Sequence, residues 1–195
     1  MYEYLRGSVI TKAPTYVVLE VGGIGYYVHI TLSTYSQIKD VDECKLFISF
    51  QVREDAHNLY GFATEEERQL FTHLISISGI GPSTGRMMLS SSTSEELQRA
   101  IINGEVETMK KIKGIGPKTA QRIILELQDK LKKTDEGVSG GSISDTKPNV
   151  VEEALSALIL LGFAKKTADK ALQTIYKQNN DLSVEALIKA ALKKL

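Results

Sequence analysis

A six-residue phrase occurs twice: Ser78-Gly79-Ile80-Gly81-Pro82-Ser83 and, 35 residues further on, Lys113-Gly114-Ile115-Gly116-Pro117-Lys118. Two glycines bracket one isoleucine, so the backbone can take a positive φ and come close to another surface. The isoleucine points back and anchors the turn in a core. Proline then opens the next helix at its first turn, where the N–H it lacks would have had no partner. The product is a helix start with unpaired N–H groups and the positive end of its dipole facing outward, a seat for an anion such as phosphate. One such loop also ends ordinary helical hairpins; a second copy makes bland turns the poorer reading.

Each copy has the pattern of a helix-hairpin-helix motif, which holds nucleic-acid backbone through main-chain amides and positions a protein without reading bases. The first assigns Gly79, Gly81, Ser83 and Thr84 to DNA binding; the second assigns Lys113, Gly114, Gly116, Lys118, Thr119 and Arg122. Lys118 and Arg122 lie one helical turn apart and can address neighbouring phosphates. Ser83 stands where the second copy has Lys118, so the first loop relies on amides and hydroxyls and is expected to be the weaker.

Overall charge argues against this reading, because 24 Lys and Arg offset 24 Asp and Glu. Charge is nonetheless segregated. Lys110, Lys111, Lys113, Lys118, Arg122, Lys130, Lys132 and Lys133 crowd the second copy, opposed there by Glu126 and Asp129, while acidic residues gather at 65–67 and in the tail. A neutral total thus hides a basic face. Lys130, Lys132 and Lys133 read as solvated helix lysines; Lys113, Lys118 and Arg122 flank the amides.

Residues 1–63 read as β structure. Runs at 5–10, 16–21, 26–31, 45–52 and 58–62 are rich in Val, Ile, Tyr and Phe and are separated by turn residues. Five short strands, with room for a helix at 33–43, suit a closed barrel such as an OB-fold. Gly22-Gly23-Ile24-Gly25 lacks the helix a dinucleotide loop requires and is expected to be a hairpin bulge. Between the last two strands lies Val52-Arg53-Glu54-Asp55-Ala56-His57, whose adjacent carboxylates need mean nothing beyond solvation.

Residues 64–133 read as two pairs of helices. Thr64 with Glu67 has the form of a capping box, in which hydroxyl and carboxylate satisfy orphan amides reciprocally, and Thr93 to Glu96 caps a later helix. A short helix is expected at 84–89, broken by Ser90-Ser91-Ser92, and the helix after the second loop at 118–131. Residues 134–148 read as a flexible linker by their Gly and Ser content. Asn149 then caps a last unit, 149–195, of three short helices, too small a core to supply much stability. Such a module usually binds another protein. Leu160 and Leu161 are more apolar surface than one helix stripe needs, and sequence does not separate a docking patch that would include Phe163 from plain core.

Cys44 is the single cysteine, and His29, His57 and His73 show no ligand spacing, so neither a disulfide nor a metal site is expected. The start lacks the basic-then-apolar run of a secretion signal, and no stretch suits a membrane span. A cytoplasmic protein without cofactor is expected.

Leu5-Arg6-Gly7, Val21-Gly22-Gly23-Ile24-Gly25-Tyr26, Val52-Arg53-Glu54-Asp55-Ala56, Leu59-Tyr60-Gly61-Phe62 and both Gly-Ile-Gly-Pro loops, in that order, resemble the RuvA family along all 195 residues. These are DNA-binding subunits of the bacterial Holliday-junction branch-migration complex. The resemblance implies an α+β chain: an OB-fold barrel, a tandem helix-hairpin-helix domain and a three-helix, UBA-like domain. It implies a homotetramer, or an octamer of two tetramers face to face, holding a four-way DNA junction on a basic face. It implies a hexameric ATPase, RuvB, docking on residues 149–195, with the RuvC resolvase as a further partner. It makes Glu54 and Asp55 an acidic pin at the four-fold centre. No Walker motif is present, so the chain is expected to be non-catalytic and the energy to come from the partner. Two other classes compete. A DNA glycosylase or nuclease also uses such hairpins, but a metal nuclease needs more converging carboxylates than Glu54 and Asp55. A single-strand binder needs exposed aromatics, whereas Tyr26, Tyr27, Phe47 and Phe50 are expected in the core or a subunit interface.

Overall fold

The computed structural model describes residues 2–138, 150–180 and 182–195. They form two compact units, one before residue 140 and one after it. The first opens with β1 (Tyr4–Ala13), β2 (Tyr16–Val21), β3 (Ile24–Ile30), β4 (Glu43–Val52) and β5 (His57–Phe62), with α1 (Leu32–Ile38) filling the gap after β3. The strands close a barrel in the order β1-β2-β3-β5-β4, all neighbours antiparallel except β3 and β5. This is the expected OB-type barrel. Alternation decides its filling: Leu5, Val17, Leu19, Val28, Ile30, Leu46 and Ile48 turn inward, and Ile38 of α1 plugs them.

Gly22 and Gly23, at φ +60° and +82°, form a two-residue turn, since Val21 pairs directly with Ile24. The expected bulge is therefore not there: two positive-φ residues give the turn whose twist matches the flanking strands. The irregularity in register lies instead in β1, between Val9 and Thr11. Two other glycines are fixed by crowding. A Cβ on Gly7 would run into the Glu20 carbonyl, and one on Gly61 would lie 2.6 Å from Val28 Cγ1.

β5 has two faces. Leu59 packs on the barrel core, while Tyr60 and Phe62 meet the helices. Their rings stand 5.2 and 4.8 Å from that of Phe71. The helices are α2 (Glu65–Ile75), α3 (Pro82–Ser91), α4 (Ser94–Ile102), α5 (Val106–Lys110) and α6 (Pro117–Val138). α3 is longer than expected. Ser90 and Ser91 donate their hydroxyls back to the Arg86 and Met88 carbonyls, so the helix passes through them and ends at Ser92. α6 also outruns the expectation, taking in 134–138 from the stretch read as linker. Thr134-Asp135-Glu136 contains no breaker, and the first glycine pair comes at 140–141. The rest of that stretch, 139–148, and Asn149 lie outside the described residues.

The capping box expected at Thr64 is only half made. Thr64 Oγ accepts from the Glu67 N–H, but the Glu67 carboxylate does not return. It is 2% exposed and accepts from the hydroxyls of Thr31 at 2.6 Å and Thr34 at 2.8 Å. Thr34 in turn accepts from the Ala63 N–H. A carboxylate of α2 is thereby tied to the cap and first turn of α1. Burial pushes its carboxyl above the usual range, against the two hydroxyl bonds. The box at Thr93 and Glu96 is complete. Arg68 of α2 holds the chain start, reaching Glu3 Oε1 at 2.6 Å.

The second unit is α7 (Val150–Leu160), α8 (Lys165–Gln178) and α9 (Val184–Leu192). Leu158, Leu172 and Leu187 meet at its centre with Ala154, Ala168 and Ala191. Gly162, at φ +96°, ends α7 with its N–H on the Ile159 carbonyl and that of Phe163 on Leu158, a Schellman closure.

Gly7→Ala is expected to destabilise the first unit by about 1–3 kcal/mol through overpacking. Gly25→Ala, whose Cβ would meet only Val18 at 3.5 Å, should change little. Urea midpoints compare them, and equal midpoints would contradict the crowding at Gly7. For Glu67, the folded chain holds its proton to higher pH than the unfolded chain. Its contribution is fullest below the unfolded pKa and is lost as pH rises through the folded one. Glu67→Gln, which cannot ionise, should thus lose most against wild type in acid and regain ground toward neutrality. A stability difference flat from pH 4 to 8 would show that burial does not raise this carboxyl.

Candidate nucleic-acid interface

The sequence repeat is a structural repeat. Gly79 and Gly114 sit at φ +95° and +88°. Ile80 N–H donates to Ile77 O, and Ile115 N–H to Ile112 O, both at 3.0 Å. Gly81 O accepts from Gly85 N and Gly116 O from Ala120 N, both at 2.9 Å. Ile80 and Ile115 are 4% and 5% exposed, packed in the helical core. That burial turns the glycines outward. A Cβ on Gly79 or Gly116 would meet nothing within 4 Å. Gly81 is the N-cap of α3, with Pro82 at its start and no side chain capping it. The first-turn amides of such a helix have no intrahelical acceptor and face an approaching group.

The two loops are neighbours. Met87 of α3 would lie 3.3 Å from a Cβ on Gly114, and Arg122 Nη1 donates to Ser78 O at 3.3 Å. Arg122 also donates through Nε to Glu126 Oε1 at 2.8 Å. Arg122, expected to face a phosphate beside Lys118, straddles the two hairpins and keeps about half its side chain exposed. Lys110, counted with the basic cluster, pairs with Glu107 at 2.8 Å. Lys113 and Lys118 are exposed and make no ion pair among the described residues. Ser83 is exposed, and Thr84 and Thr119 are half-buried beside their loops.

The β4–β5 turn, closed by Arg53 N–H on Ala56 O at 2.8 Å, carries Glu54 and Asp55 into solvent. It does not stand apart from the hairpins. Arg53, Asp55, Asn58 and Tyr60 line a cleft of about 250 Å³ with Pro82 and Ser83 of α3. Sequence reasoning does not single out Arg53, and no local signal would find it, since 28 positions separate it from Gly81. Of the aromatics expected in the core or a subunit interface, Tyr27 is not in the core of this chain, being 51% exposed and stacked on Tyr16 at 4.7 Å, whereas Tyr26, Phe47 and Phe50 are half-buried. In the second unit Leu160 and Leu161 are 87% and 61% exposed, and Phe163 is half-buried against the core. Leu158, not its neighbours, fills the centre. Among the described residues no three His, Cys, Asp or Glu side chains converge as a metal site, and no helix is long and apolar enough to cross a membrane.

Residues 1–61 match the RuvA N terminal domain, 71–129 the SAM-like helix-hairpin-helix tandem, and 149–195 the RuvA C-terminal domain. Proteins bearing the name Holliday junction branch migration complex subunit RuvA are similar along the whole chain. That of Christiangramia forsetii is 48% identical over 197 residues, covering 100% of both chains. That of Cytophaga hutchinsonii is 48% identical over 99% of each, and that of Bacteroides thetaiotaomicron 44% over 100% of each. With its barrel, its paired hairpins and its terminal helices each matched, and with such identity from end to end, the chain belongs to the RuvA family.

Proposed function

We propose that the protein binds four-way DNA junctions through their phosphate backbone, as a homotetramer or as two tetramers face to face. It acts in the cytoplasm in DNA recombination and repair, and does no catalysis itself. The observation that carries this is the pair of adjacent loops with matching closures and outward-turned glycines, the second flanked by Lys113 and Lys118, which make no ion pair among the described residues. Two anion seats side by side suit two phosphates of one arm. The relatives' shared name, a subunit of a Holliday junction branch migration complex, supports the choice of DNA.

Gly79, Gly81, Ser83 and Thr84 hold one phosphate run; Lys113, Gly114, Gly116, Lys118 and Thr119 hold the other. Arg122 braces the two loops and turns its exposed edge to the DNA. Glu54 and Asp55 act by repulsion at the crossover. A carboxylate about 6 Å from a phosphate costs roughly 0.7 kcal/mol in water, more where water is displaced. Screening over about 8 Å confines the effect to the centre, where several copies would add. The tip thus lowers affinity slightly and discriminates against continuous duplex. Residues 149–195 recruit the RuvB-type hexameric ATPase, with Leu160, Leu161 and Phe163 as the docking patch and that ATPase as the source of energy; a RuvC-type resolvase can share the junction.

Gel-shift on four-way and linear DNA of equal length tests the reading, and equal affinity would defeat it. Lys118→Ala should weaken binding to all junction sequences alike and lower the log–log salt slope by about 1 for each phosphate it no longer neutralises. A loss confined to some sequences would contradict backbone recognition. Glu54→Gln with Asp55→Asn should raise affinity for linear duplex relative to the junction; an unchanged ratio would remove the tip from the account.

A further inference from the structure

The first hairpin lacks the cation of the second: Ser83 occupies the position of Lys118 in the repeat. The fold brings one from elsewhere. A Cβ on Gly81 would have Arg53 Nη2 as its only neighbour within 4 Å, at 4.0 Å. Arg53 shares the cleft with Pro82 and Ser83. Glu54 and Asp55 follow it directly, yet its guanidinium makes no ion pair and no hydrogen bond among the described residues. An unpaired arginine against the entrance of an uncapped helix is placed for a charge-assisted, two-pronged bond to a phosphate oxygen. We infer that Arg53, from the barrel, supplies the missing cation of the first hairpin and grips the same phosphate as the Gly81 and Ser83 amides.

This rests on the function proposed above and deepens it. It gives the β4–β5 turn two opposed roles one residue apart: Arg53 holds a strand at the first hairpin, while Glu54 and Asp55 repel strands beyond it. The barrel then belongs to the grip itself, and the first hairpin need not be the weaker.

The salt dependence of junction binding tests it in a two-by-two cycle of Arg53→Ala and Ser83→Lys, with Lys118→Ala as reference. Arg53→Ala should lower the slope by about 1 for each phosphate released. Ser83→Lys should restore about that much in the Arg53→Ala background and add little to wild type, because both cations would serve one phosphate. An equal gain in both backgrounds would place Arg53 on a different phosphate and overturn the inference. So would an unchanged slope in Arg53→Ala. Recovery of Arg53→Ala by Glu54→Gln with Asp55→Asn, and not by Ser83→Lys, would make Arg53 a screen for the tip and likewise overturn it. If Lys118→Ala also leaves the slope unchanged, the failure lies with the phosphate-backbone reading and not with Arg53 alone.

Discussion

Two isoleucine side chains hold the interface open. Ile80 and Ile115 are nearly fully buried, and each contributes about 1.5–3 kcal/mol by leaving water. That burial forces the flanking backbone into a tight reversal, which only a positive-φ glycine accepts without strain. The following glycine and helix start are then turned to solvent with their amides unpaired. Exposed amides are no accident of the turn but the other side of a packed core. Weakening either isoleucine would loosen the geometry of the amides and the stability of the helices together.

The barrel and the helices of the first unit share one seam. Tyr60 and Phe62 lie under Phe71, and the buried Glu67 carboxylate takes two hydroxyl bonds from α1. The short path from β5 to α2 keeps the β4–β5 turn beside Pro82 and Ser83. A charged group so deeply buried raises its own pKa and adds little net stability. Its value lies in leaving two threonine hydroxyls without an acceptor if the elements shift. Attraction at the loops and repulsion at the tip depend on a fixed spacing, and this seam fixes it.

What can be read along the chain is local. The repeat, the strands and the OB-type closure follow from patterns within a few residues, and the buried isoleucines sit where the motif places them. Departures come from partners far away in sequence. Glu67 reads as a capping residue because Thr64 is three positions off, but its carboxylate's partners are Thr31 and Thr34. Arg122 has one partner of each kind: Glu126 is one turn away and legible in the sequence, whereas Ser78 lies in the other hairpin and is not. Arg53 is invisible for the same reason. Lys110 is different: Glu107 is one turn away, and an i,i+3 pairing rule removes it from the basic face. The exposure of Leu160 and Leu161 is undecidable from hydropathy alone, since it depends on how Gly162 turns the chain.

The most direct test of the central claim observes the loop amides themselves. Nitrogen-15-labelled protein titrated with four-way junction DNA should show the largest amide shifts at Gly79, Gly81, Ser83, Gly114, Gly116 and Lys118. The Gly22–Gly23 turn, equally exposed and glycine-rich but without a helix behind it, should stay in place. Saturable binding with both hairpin loops unmoved would show that the phosphates are held elsewhere and would contradict the account.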